Sequence, residues 1–145
     1  MIMRAFLAIT FALATLASAP AANTDSEVDA RKAALELAGA FQNDGFKIRD
    51  GHWTGQLTRG EQTLVAVNLY AGNQYWFSVA AEGGPKNFTV HLYDEAGKPL
   101  ATENYEDEQK AAAGFAPTVS GQYFVGIGPV EGEAAGTFCL VYSYR

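Results

Sequence analysis

Two periodicities divide the chain. From Asn23 to Gly45, Ala30, Ala34, Leu37 and Phe41 recur at i, i+4, i+7 and i+11, and Ala33 and Ala40 widen the stripe. That spacing predicts an amphipathic helix. Thr24 and Glu27 have capping-box spacing, with Ser26 as an alternative cap. Asp25, Glu27 and Asp29 suit the positive end of the helix dipole. Gly45 fits a left-handed stop, with Phe46 packing behind it. From residue 52 the period becomes two. Thr63 to Leu69 sets Val65, Val67 and Leu69 on one face. Gln74 to Ala80 sets Tyr75, Phe77 and Val79 against Trp76, Ser78 and Ala80. Asn87 to Tyr93 sets Phe88, Val90 and Leu92 against Thr89, His91 and Tyr93. Gln122 to Gly128 groups Tyr123, Val125 and Ile127, and weaker strands fall at 52–57, 98–104, 111–118 and 136–144. Turn residues separate them at 59–60, 71–73, 82–85, 94–97, 120–121 and 132.

Seven or eight short strands so punctuated predict a mainly β fold. We expect a jelly-roll-like antiparallel β-sandwich preceded by one N-terminal α-helix. The absence of long helices between strands disfavours a parallel sheet. Residues 1–21 read as a signal peptide. Arg4 precedes an apolar stretch from Ala5 to Leu16, and Ala19-Pro20-Ala21 is a small-residue cleavage site. That apolar stretch is about 12 residues, short of the roughly 20 that span a bilayer. The expected organisation is therefore 1–21 leader, 22–46 helix and 47–145 sandwich, in a periplasmic or secreted protein.

Composition narrows the function. The chain has 145 residues and net charge −6, which becomes −7 once Arg4 leaves with the leader. An acidic protein is a poor nucleic-acid partner, because phosphate binding needs a basic face. After residue 22 no apolar run approaches membrane-spanning length. The single cysteine, Cys139, excludes an internal disulfide, and its apolar run predicts burial as a small hydrophobe.

The stretch from Gly55 to Tyr144, about 90 of the 145 residues, resembles the pre-peptidase C-terminal domain family. Its phrases are Gly55-Gln56-Leu57 with Leu64-Val65-Ala66-Val67, and the run from Leu69 to Phe77 (LYAGNQYWF). They continue with the run from Val90 to Ala101 (VHLYDEAGKPLA), then Gly114-Phe115-Ala116-Pro117 and the run from Ser120 to Ile127 (SGQYFVGI). The resemblance implies a small β-sandwich module of secreted bacterial proteins, often beside a protease. Two departures stand out. No protease domain lies in these residues, and a helix precedes the module.

Candidate chemistry is sparse. His52 and His91 are the available bases, and no serine sits in a G-x-S-x-G turn. A small secreted hydrolase is the weakest reading, and we expect no enzyme. Asp94, Glu106, Asp107 and Glu108 are the carboxylates a calcium ion would draw on from loops. Trp76, Tyr93 and Phe124 fall opposite the expected core faces and Trp53 lies in the irregular opener. Outward aromatics bind protein or polysaccharide ligands, or seat the helix. The leading expectation is a non-catalytic binding or accessory domain for a protein or polysaccharide. The alternative is an interaction subunit docking through its N-terminal helix.

Overall fold

The computed structural model describes residues 25–145, apart from the side chains of 132–135. The expected leader, its expected cleavage site and the Thr24 cap candidate lie outside these residues. The helix α1 runs Asp25–Gly39, followed by a 3-10 turn at Gln42–Asp44. Ten strands follow: β1 Lys47–Ile48, β2 Trp53–Thr58, β3 Thr63–Leu69, β4 Tyr75–Lys86, β5 Val90–Tyr93, β6 Pro99–Leu100, β7 Glu103–Asp107, β8 Lys110–Phe115, β9 Gly121–Ile127 and β10 Glu131–Tyr144.

They form two antiparallel sheets. In one, β10, β4, β8 and β7 lie side by side, and both β1 and β2 pair with the free edge of β10. The other has the order β3-β9-β5-β6. Alternation sends one set of side chains from each strand into the space between the sheets. Val65, Val67, Phe77, Val79, Leu92, Val125, Ile127 and Leu140 meet there. Phe77 and Phe88 are fully buried, each contributing about 2–3 kcal/mol of burial.

The helix docks on its own domain. Ala30, Ala34 and Ala38 are fully buried against Ala80, Cys139 and Val141 on the outer face of the six-stranded sheet. The stripe therefore runs i, i+4, i+8, and Leu37 is only half-buried. Small residues on both surfaces explain the change, because an alanine ridge brings the helix axis close to the sheet. The continuous helix expected to Gly45 ends at Gly39. Asn43 and Asp44 favour turns over helix interiors, and Gln42–Asp44 forms the 3-10 turn. Gly45 closes it at φ 86°, its N–H donating to the Gln42 carbonyl. Phe46 is buried behind it.

All eight expected strand regions hold strands, and the count reaches ten because β1 is added and 98–104 divides into β6 and the start of β7. Two expected irregular segments are strand instead. Residues 82–85 continue β4, with Glu82 opposite Thr137 and Pro85 opposite Gly132. The Pro85 ring occupies the space a Cβ on Gly136 would need. The acidic run 103–107 is β7, an edge strand exposed along its whole length. Charge on an unpaired edge opposes sheet-to-sheet aggregation.

Candidate ligand-binding cleft

An aromatic cleft lies where the free edge of β3 faces the β1/β2 edge of the other sheet. Its volume is about 470 Å³, within the range of small-ligand sites. Trp53 comes from the start of β2, Tyr142 and Tyr144 from the end of β10, and Tyr75 from the start of β4. Tyr70 and Asn73 belong to the turn after β3, and Asn68 and Arg49 complete the polar lining.

The rings are mutually braced. Trp53 stacks on Tyr142 with centroids 5.6 Å apart and planes 18° apart. Tyr75 meets Tyr142 edge-on at 6.0 Å. The Tyr75 hydroxyl accepts hydrogen bonds from the Tyr70 N–H at 2.9 Å and the Asn73 side-chain amide at 3.1 Å. Those two bonds fix the turn, and Gly72 supplies its positive φ of 90°. The Arg49 N–H donates to the Tyr142 carbonyl at 2.9 Å, and its guanidinium lies 5.1 Å from the Tyr142 ring centroid. Burial raises the Tyr142 phenol above its ordinary pKa, with Arg49 pulling the other way. Tyr70 is 64% exposed and Tyr144 38%. Rigid inner rings thus support two rings that face solvent.

The four aromatics singled out in the sequence separate into three places. Trp53 is in the cleft. Trp76 stacks on Phe41 at 4.2 Å and 9°, so it seats the chain leaving α1 and is not a free platform. Its indole also covers Gly114, where a Cβ would sit 2.9 Å away. Tyr93 and Phe124 are register partners on the outer face of the four-stranded sheet. The Tyr93 ring lies over Gly126 and its hydroxyl accepts from Gln62 Nε2 at 2.9 Å.

Of the candidate calcium ligands, Asp94 and Asp107 accept backbone N–H groups, and Glu106 and Glu108 are exposed. Asp94 Oδ1 accepts from the Ala96 and Lys98 N–H groups at 3.0 and 2.8 Å, closing the turn that Gly97 completes at φ 81°. Glu106 and Asp107 lie on β7, and Glu108 follows in the turn to β8. Among the described residues no three His, Cys, Asp or Glu side chains group to hold a metal ion. His52 is exposed, and His91 Nε2 is 2.6 Å from Thr89 Oγ1. Cys139 is free and buried, as its apolar run predicts.

Two other concavities are lined differently. One, of about 660 Å³, includes Phe41, Asp44, Trp76, Glu103 and Arg145. There the Arg145 guanidinium donates to Gln74 Oε1 and the Asp44 carbonyl and lies over Phe46. The other, of about 520 Å³, includes Asp94, Glu95, Phe115 and Tyr123.

Sequence reasoning missed Tyr70, Tyr75, Tyr142, Tyr144, Arg49, Asn68 and Asn73 as cleft residues. A signal existed in the tyrosines flanking the Tyr70–Tyr75 turn and in Tyr142-x-Tyr144. Scanned against family models the chain matches none, and no curated protein matches it.

Proposed function

We propose that the chain is a non-catalytic, secreted or periplasmic binding domain of the pre-peptidase C-terminal type, and that it holds a polysaccharide in the aromatic cleft. The observation that carries this reading is the convergence of five aromatic rings and two side-chain amides on one open cleft. Pyranose rings present apolar C–H faces that pack on aromatic faces, while their hydroxyls need amide and phenol partners. Tyr70 and Tyr144 supply exposed faces, and Asn68 and Asn73 supply amides. A protein ligand is the alternative, as exposed tyrosines also anchor protein interfaces. A recessed cleft favours the sugar, since its polar groups sit beside the rings.

The test is a glycan array with residues 22–145, followed by calorimetric titration of any ligand found. Tyr70→Ala and Tyr144→Ala are expected to weaken binding tenfold or more while leaving the urea midpoint close to wild type. Retention on no glycan, or binding indifferent to both variants, overturns the reading.

A further inference from the structure

We infer that the polysaccharide is acidic, its sugar rings carrying carboxylates that Arg49 reads. This rests on the reading of the cleft as a glycan site. Acidic residues outnumber basic ones 16 to 10 in this chain. The 660 Å³ concavity nevertheless includes Asp44 and Glu103, and the 520 Å³ one Asp94 and Glu95. Among the described residues the aromatic cleft includes no carboxylate, and Arg49 is its one charged lining residue. Asp50, the next residue in the chain, does not line it. An anion entering there meets a cation and no like charge.

The posture of Arg49 fits that task. Its backbone is fixed by the bond to the Tyr142 carbonyl, and its guanidinium rests against the Tyr142 ring. A cation–π contact uses none of the guanidinium's N–H donors. Those donors form the fork that matches a carboxylate in two parallel hydrogen bonds. A uronate ring packed on Tyr70 or Tyr144 shares the cleft with Asn68 and Asn73 for its hydroxyls and with Arg49 for its carboxylate. Neutral sugars satisfy the rings and amides and leave the guanidinium unused.

Calorimetric titration of residues 22–145 with galacturonate and mannuronate oligomers, each against its fully methyl-esterified counterpart, tests this. Esterification removes the charge and keeps the ring. The acid of at least one pair is expected to bind about tenfold tighter than its ester. Arg49→Gln should bring the two together by weakening only the acid. Arg49→Lys should restore part of the difference, because it keeps the charge and loses the fork. Acid and ester binding alike, a preference that survives Arg49→Gln, or binding of neutral glycans with neither uronate bound overturns the inference while the glycan reading stands. Failure of every glycan on the array overturns both.

Discussion

A carboxylate on the sheet-facing side of α1 is expected to open the helix and expose Cys139. Ala34 is fully buried, packed with Ala80, Cys139 and Val141. Ala34→Glu forces a polar group into that seam. An unpartnered buried neutral polar group costs about 1–3 kcal/mol and an ionised carboxylate more, so about 2 kcal/mol is a lower bound, and α1 can escape the cost by lifting away. With about 2 kcal/mol transferred to the undocking equilibrium, the open population rises roughly 30-fold. Cys139 reports it. The docked thiol is inaccessible, and burial pushes its pKa from 9.0 to about 11, with Arg31 opposing. It is therefore a thiol, not the reactive thiolate, at neutral pH. In Ellman's reagent at pH 8 the parent protein should react slowly, at a rate set by opening. Ala34→Glu should raise that rate at least about 30-fold, and Cys139→Ala should abolish the signal. Urea separates the routes, because undocking exposes little surface and global unfolding exposes much. A nearly flat dependence on low urea identifies undocking. The raised pKa also fixes the sign of a pH effect. Its contribution to stability is fully present below pH 9, and it is lost as pH rises through about 11, because the unfolded thiol ionises first. Cys139→Ala should reduce the alkaline loss in thermal melts, with the part due to the raised Tyr142 phenol remaining. A parent thiol that reacts within the mixing time, or a rate unmoved by Ala34→Glu, refutes the reasoning.

Two further outcomes are expected. A double-mutant cycle on Phe41→Ala and Trp76→Ala, read by urea denaturation, should give a coupling of about 1 kcal/mol from their stack. A coupling near zero would mean the pair does not pin the end of α1. Melting in EDTA and in excess calcium should give the same midpoint, since Asp94 Oδ1 already serves the Ala96 and Lys98 N–H groups. A calcium-dependent rise that disappears on joint neutralisation of Glu106, Asp107 and Glu108 would contradict that.

Period-two alternation made the sandwich legible. The core faces of β3, β5 and β9 follow directly from Val65, Val67, Leu69, Val90, Leu92, Val125 and Ile127, all buried. Where the sequence misled, a partner elsewhere in the chain was responsible. The Gly83-Gly84-Pro85 segment has turn composition, yet Gly136 on β10 makes room for the Pro85 ring and the strand continues. Trp76 points away from the core as expected, but Phe41 already covers it. Local pattern gives the direction of a side chain, whereas its occupant depends on a segment 35 residues away.

The cleft shows the same limit more sharply. Tyr75 and Tyr142 have inward parity, which reads as core, and they are buried. Tyr144 has the same parity but lies at the end of β10, where its ring is 38% exposed. Arg49 arrives through an interruption of the edge. Between Ile48 opposite Ser143 and Trp53 opposite Leu140, five steps of chain face three on β10. Two extra residues must therefore loop out, and Gly51 at φ 98° turns them. Such an irregularity at a sheet edge re-aims side chains. Here it leaves Arg49 over Tyr142 and returns Trp53 to the same ring. Bending the edge strand around one tyrosine thus gathers the cation and the indole at a single point, and the sequence shows only an irregular opener.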